Sequence, residues 1–420
     1  MPQMTTTSGQ RTLLLGWRGG VAHATLNLLA GHPFGQKLAG ASELFLLDAD
    51  SSRPAPEPPL AAQVLPAQTI LGGDDLFAIL GRYAIDRVLD LGASNSLASV
   101  RACADAGADY LSTCYDPLHY RAHGPPTGPL LMRGARDLLP ERRPAIARGS
   151  HLVGSGMNPG LVSSLLLSGL GRFAERAGVA SARSVAELDL YAILITEIDT
   201  TATGDAPAED VFAMSWSPDH CLSELLEPDA LVMRGGEVAS LGHPPTAAHY
   251  TARCGHGAIR GFVVPHEELV WLGARFPSCE MGYIYQLPTA AEAALRSAPA
   301  REAKDWKTRR LIPPRVDSEA LGGSDRVGVL LCSRRHGELW LGFDTAMEEA
   351  IRWRTNATEL QVASGVLAGW AQLGQVAGLH LAEELDWRRY LRDAESILGP
   401  ARVVYDPDAP VRPVAGRRVA

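Results

Sequence analysis

Between Arg11 and Val153, short apolar runs alternate with stretches whose apolar residues recur at helical spacing. That alternation limits the chain to few architectures. The strand-like runs are Arg11 to Leu15, Leu44 to Leu47, Thr69 to Leu71, Arg87 to Leu91, Asp109 to Cys114 and His151 to Val153. Helical patterns lie between them at Val21 to Leu29 and Asp75 to Arg82, and Ser94-Asn95-Ser96 offers caps for another helix. Strands separated by helices pair in parallel, because the crossover returns the chain to the same end of the sheet. The expected fold class is α/β, beginning with an N-terminal doubly wound parallel sheet.

The pattern changes after residue 156. Val185 to Ile198 alternates enough for a strand with one exposed face, and further strand-like runs follow at Leu231 to Arg234, Gly261 to Val264 and Val327 to Cys332. Strands without regular helices between them predict a second, α+β domain with an antiparallel or mixed sheet. Helices are then expected over Glu359 to Leu373 and Ala382 to Ile397. The first ten residues, the proline-rich stretch Ser51 to Pro59 and the tail after Tyr405 read as frayed or loop. At roughly 150 residues per domain, 420 residues make two or three domains. The expected division is residues 1–155, 156–345 and a helical C-terminal segment 346–420 that packs back on the first domain.

Composition excludes several classes. A net charge of −8 with dispersed arginines argues against a nucleic-acid partner. No apolar run reaches the ~18 residues of a membrane span, and the N-terminus lacks a signal-peptide core. Six scattered cysteines without a C-x-x-C pair give neither a disulfide framework nor a zinc site, so no metal is expected and a cytoplasmic location is. Only three of the 39 basic residues are lysines (Lys37, Lys304, Lys307), so chemistry needing an enzyme lysine has few candidates.

Gly16-Trp17-Arg18-Gly19-Gly20-Val21 falls between a strand and a helix, where a phosphate-cradling turn belongs. Gly-x-Gly-x-x-Gly is not present: Arg18 and Val21 stand at two expected glycine positions, and a glycine-rich surface turn reads the same way. Asp48 ends the second strand, where a carboxylate accepts from the adenosine ribose hydroxyls and repels a 2′-phosphate. NAD is therefore the expected cofactor, in preference to NADP.

Several segments together carry a resemblance. They are Leu111-Ser112-Thr113-Cys114-Tyr115-Asp116-Pro117, Gly154-Ser155-Gly156-Met157-Asn158-Pro159-Gly160, Ile195-Thr196-Glu197-Ile198-Asp199-Thr200, Ser215-Trp216-Ser217 and Asn356-Ala357-Thr358-Glu359-Leu360-Gln361-Val362. Asp386-Trp387-Arg388-Arg389 and Leu398-Gly399-Pro400 complete the set. In order and spacing the chain resembles bacterial homospermidine synthases, within the saccharopine-dehydrogenase-like group. The resemblance implies a Rossmann domain, a second domain for substrate and dimerisation, and hence a homodimer. It implies NAD that oxidises the amine-bearing carbon of putrescine, transfer of the imine to a second amine with loss of ammonia, and reduction by the same cofactor.

The resemblance assigns Asn158 to the active-site mouth and, with Thr113, to the cofactor. It assigns Trp216 to cation–π contact with an alkylammonium ion, and Glu224 and Asp116 to its hydrogen bonds, Asp116 standing where the family usually has glutamate. Ser94 falls where the family carries an aspartate, and Arg253 falls where it has a histidine, with His249 and His256 the neighbouring candidates for that role. Losing an acid and gaining an arginine leaves open a saccharopine- or carboxyspermidine-type reaction on a carboxylate-bearing substrate. The eroded glycine turn leaves open a catalytically silent NAD-binding protein. The small-molecule partner is expected to be an amine or amino acid.

Overall fold

A computed structural model describes residues 9–51, 57–70, 72–92, 94–117, 127–179, 184–205, 208, 210–298, 301–313 and 320–419. Most of the N-terminal stretch expected to fray, and the middle of the proline-rich loop, lie outside the described residues.

Six strands from the first part of the chain form the parallel sheet: β1 Gln10–Leu15, β2 Ser42–Leu47, β3 Gln63–Val64, β4 Arg87–Asp90, β5 Asp109–Ser112 and β6 Ser150–Val153. A seventh strand, Gly378–Leu381, adds beside β6, giving the order Gly378–Leu381, β6, β5, β4, β1, β2, β3. All its pairings are parallel. The central strands are apolar and buried on both faces, as a doubly wound sheet requires. The order reverses beside β1, and there the crevice at the carboxyl ends of the strands opens.

The strand expected at Thr69 to Leu71 does not form at Thr69 and Ile70, and Leu71 lies outside the described residues. The edge strand is instead the two-residue β3, whose pairing stops at Leu65-Pro66, because proline has no N–H for a ladder. Helix α1 spans Gly20–Gly31 and a short helix Pro33–Ala39 follows it before β2.

The second sheet is mixed and has ten strands. Its centre is Leu190–Asp199, paired in parallel with Glu280–Gln286 and antiparallel with Ser324–Ser333. The expectation of an exposed face on this strand is wrong. Ile193 and Ile195 pack into one core, with the helix Leu161–Arg176, while Ala192 and Leu194 pack into another with Val232 and Tyr250. Both faces are covered, so the apolar run is continuous.

Nor is the tail loose. Arg402–Asp406 pairs with Gly337–Ala346, and Arg418–Val419 pairs with His249-Tyr250 at the other end of the sheet. The segment beyond residue 345 therefore contributes strands to both sheets as well as the helices Ala357–Trp370 and Trp387–Leu398.

Candidate active site

The turn after β1 is shaped by Gly16, whose φ of +70° favours glycine. A Cβ there would come within 2.7 Å of Gly92 Cα, so the two loops after β1 and β4 approach backbone to backbone. Gly19 N–H closes the turn on Gly16 O at 2.8 Å. Helix α1 begins immediately, with no side-chain cap from Gly19 and no acid in its first turn. Asp48, at the end of β2, is buried and accepts from the backbone N–H groups of Arg18 and Asp50, each at 3.1 Å.

These loops form one end of a cavity of about 350 Å³. Gly16, Gly19, Gly20, Val21, Asp48 and Thr113 line it; Trp17 and Arg18, assigned with them to the cofactor, do not. The Trp17 ring is buried in the apolar core beneath the turn, and the Arg18 guanidinium lies over that ring at 4.6 Å from its centroid.

The same cavity continues to Asn158, Asp116, Trp216, Glu224 and Ser94. Asn158 Nδ2 donates to Glu197 Oε2 at 3.1 Å and to Tyr283 OH at 2.8 Å, and Tyr283 OH also donates to Glu197. Trp216 Nε1–H donates to Tyr285 OH at 3.0 Å, which fixes the plane of the indole. Asp116 is held through its backbone, donating to Ser96 Oγ at 2.8 Å. Ser94 is hydrogen-bonded to Asp90, and Tyr110 OH donates to the same Asp90 oxygen at 2.9 Å. A buried carboxylate thus adjoins residue 94, although residue 94 is a serine.

Arg253 and His249 do not belong to this cavity. The strand His249–Cys254 turns Tyr250, Ala252 and Cys254 into the core of the second sheet. His249 and Arg253 point the other way, where they pair with Glu292 and Asp406. The histidines that do line the cavity are His220 and His266, the latter in the segment His266-Glu267-Glu268 at the start of a helix. A histidine followed by acids at a helix start reads in sequence as a solvated cap, which hides it. The His266 Nδ1 meets Glu268 and, at 3.2 Å, Glu267. Other residues that sequence reasoning does not single out are Arg310 and Glu359, which line the cavity, and Tyr283 and Tyr285, which brace Asn158 and Trp216.

Burial shapes the protonation of this site. Desolvation is the largest influence on Glu224 and pushes it up to about 8, with Glu267, Glu268 and Glu197 adding to the rise and His266 opposing it. Burial likewise carries Glu197 to about 7, against the hydrogen bonds from Tyr283 and Asn158. For His266 burial is again the largest influence and lowers it, but Glu268 and Glu267 outweigh it together with the Glu224 charge and raise it to about 10.

All three groups hold a proton more tightly folded than unfolded. For Glu224 and Glu197 the folded state carries the extra proton from about 4.5 upward to about 8 and about 7; for His266 the window runs from 6.5 to about 10. Unfolding then releases protons throughout, and stability falls as pH rises. The melting temperature is expected to decline from pH 6 to pH 9, less steeply in Glu224→Gln. Calorimetric scans at fixed ionic strength check this, and a rising melting temperature over that range contradicts it.

A doubly wound parallel sheet whose switch-point crevice runs into a mixed sheet, with one cavity shared between them, defines the class: a two-domain α/β protein of Rossmann type. The relatives narrow it further. No family model matches the chain. The homospermidine synthase of Blastochloris viridis is 30% identical over 309 residues, 62% of this chain and 62% of that protein. That of Mesorhizobium japonicum is 24% identical over 372 residues, 77% and 75%. The match thus spans less than two thirds of the first relative's length. Among solved structures, homospermidine synthase from Legionella pneumophila in complex with NAD superposes with a TM-score of 0.78 at 19% identity over 98% of each chain. Saccharopine dehydrogenase (L-Glu forming) from Saccharomyces cerevisiae gives 0.55 at 12% identity over 94% of this chain and all of that one. The resemblance to homospermidine synthases is borne out in sequence and in fold.

Proposed function

We propose that the protein is an NAD-dependent, homospermidine-synthase-like enzyme that joins two amines through an imine. The observation that carries this reading is the continuity of one cavity. The glycine turn and Asp48 line one end, and the braced Asn158, Trp216 and Glu224 line the other.

The residues fit a dinucleotide. A glycine-built turn ahead of an uncapped helix start suits a pyrophosphate, and Asp48 suits ribose hydroxyls. When bound, the nicotinamide supplies hydride removal from an amine-bearing carbon and hydride return to the new imine. Two primary amines give one secondary amine and one ammonia, with no net oxidation.

The chain's own groups do the rest. The Trp216 ring, held by Tyr285, offers its face to an alkylammonium ion. Asn158 uses its N–H groups on Glu197 and Tyr283, which leaves its carbonyl as the acceptor for a reacting amine. Glu224, near 8, can hold or release a proton close to neutrality. Asp116 adds a carboxylate to the ammonium subsite. The test is incubation of the protein with NAD and 1,4-diaminobutane, read by mass spectrometry. A secondary amine formed with equimolar ammonia supports the reading; its absence from protein that binds NAD defeats it.

NAD is expected to bind at least tenfold more tightly than NADP, because a 2′-phosphate would meet the Asp48 carboxylate. Asp48→Asn is expected to narrow that ratio. Fluorescence titration with both dinucleotides checks it, and equal affinities in the wild type remove Asp48 from this role.

In this reading residues 1–155 carry the cofactor, 156–345 the substrate and the dimer contact, and 346–420 return to the first part. The protein acts in the cytoplasm as a homodimer. Light scattering at micromolar concentration is expected to give twice the chain mass, and a monomer there overturns the dimer.

A further inference from the structure

We infer that Arg310 receives the carboxylate of an amine-bearing acid, so that one of the two amines joined in this cavity is an amino acid. The inference rests on the reading above and goes beyond it in substrate class.

Arg310 ends the strand Lys307–Arg310, which pairs in parallel with Val211–Met214, two residues before Trp216. The backbone there is tightly held. Leu311 N–H donates to Met214 O at 2.7 Å, and Asn356 Nδ2 donates to Ser215 O at 2.6 Å and to Leu311 O at 2.9 Å. The Arg310 side chain lines the cavity with Trp216, His220 and Glu224. It is half-buried and makes no ion pair or hydrogen bond among the described residues.

No other arginine and no lysine lines the cavity among the described residues. Of the two histidines, His266 is engaged by Glu267 and Glu268. His220 is pushed down to about 4 by burial first, then by Arg310 and His266, so it is neutral near pH 7. Arg310 is thus a cation without a counter-ion among the described residues, in a cavity whose acids suit ammonium groups. Both ends of a diamine are cationic and gain nothing from it. A carboxylate matches the planar guanidinium with two parallel hydrogen bonds. An amino acid offers its amine to the acids and its carboxylate to Arg310. This is the role that the sequence pattern suggests for Arg253, which pairs elsewhere.

The step balances. A primary amine and an amino acid give one secondary amine, which keeps the carboxylate, and one ammonia. Hydride leaves the first amine's carbon for the proposed dinucleotide. The amino acid's nitrogen bonds to that carbon, the carbon's original nitrogen departs as ammonia, and the hydride returns.

A second anion must be separated from the first. A Cβ built on Gly20 at the start of α1 would meet Ile312 Cδ1 at 2.9 Å, so the segment following Arg310 reaches the cofactor turn. A dinucleotide phosphate is therefore the competing occupant.

The experiment offers the protein NAD, 1,4-diaminobutane and 4-aminobutyrate together, and compares wild type with Arg310→Gln and Arg310→Lys. The diamine–amino acid product is expected to predominate in the wild type. Arg310→Gln should lower kcat/KM for 4-aminobutyrate at least tenfold relative to that for the diamine, and Arg310→Lys should recover part of it. The NAD dissociation constant should move less than twofold. A wild type that forms only the diamine–diamine product overturns the inference and leaves the proposed function standing. An Arg310→Gln variant that loses NAD affinity, and both substrates equally, assigns the cation to the dinucleotide and also overturns it. If NAD binds but no pair of amines couples, the proposed function fails. Calorimetric binding of 4-aminobutyrate, present in the wild type and absent in Arg310→Gln, then still decides the subsite.

Discussion

Asn158→Leu is expected to reduce kcat/KM for amine coupling by about 100-fold or more while the protein still folds. Asn158 lines the cavity, and its amide donates both hydrogens to Glu197 and Tyr283, buried groups that do not line it. Hydrogen bonds to charged groups contribute roughly 1.5–3 kcal/mol each. These bonds fix the side chain whose carbonyl is proposed to accept from the reacting amine; leucine removes that acceptor, and misplacing a reacting group by about 1 Å costs about 100-fold in rate. There is a second consequence. Glu197 sits at about 7 because burial raises it and these hydrogen bonds restrain the rise. Without Asn158 it shifts further up and becomes neutral at pH 7, so the buried group behind residue 158 changes its charge as well. Steady-state kinetics with a melting curve alongside checks this. A variant with kcat/KM within threefold of wild type removes Asn158 from the site.

Thr358→Val is expected to destabilise the fold by about 3 kcal/mol, the upper part of the range for stranding a buried polar group. Thr358 Oγ1 lies 2.6 Å from Asp325 Oδ2 and 3.0 Å from Ser215 Oγ, and Ser215 Oγ lies 2.5 Å from Asp199 Oδ2. Three oxygen–oxygen contacts need three hydrogens, and the two hydroxyls supply two. The third is a proton on Asp199 or Asp325, both of which burial raises. Valine has the shape of threonine but breaks the chain in the middle, and Asp325 Oδ1 already has no partner among the described residues. Thr358→Ser keeps the hydroxyl and should cost less than half as much. Urea unfolding of both variants checks this; equal midpoints contradict it.

The fold that these two substitutions probe is only partly legible in the sequence. Parallel strands are buried on both faces, so Leu13 to Leu15, Leu44 to Leu47 and Arg87 to Asp90 stand out as continuous runs. The edge strand Gln63–Val64 is exposed and two residues long, so nothing in its composition marks it. Gly378–Leu381 joins β6 from more than two hundred residues away, and no local pattern records such a pairing. Leu190–Asp199 misleads in the other direction. Its alternation reads as one wet face, but two separate cores take its two sides.

In the site, local chemistry is readable and partnership is not. The glycine turn and Asp48 advertise themselves because backbone conformation and strand-end position are local properties. Trp216, Glu224, Asp116 and Asn158 come through the resemblance. Alignment along one strand puts Arg253 and His249 in the pocket, but that strand turns them away from it. Of the two histidines that do line the cavity, His220 lies on the helix just after Trp216 and His266 begins a helix after the following strand. Arg310 sits in a run of charged residues that reads as a solvated edge, and only the fold carries it to the cavity wall.

The central claim is that one cavity removes a hydride from an amine-bearing carbon and returns it to the same carbon after the nitrogen has been exchanged. Coupling of 1,4-diaminobutane deuterated at both amine-bearing carbons, with NAD in catalytic amount, tests it most directly. A secondary amine that retains the transferred deuterium is expected, with equimolar ammonia and no accumulated NADH. Loss of that deuterium to solvent, or NADH accumulating mole for mole with amine consumed and no secondary amine formed, would contradict it.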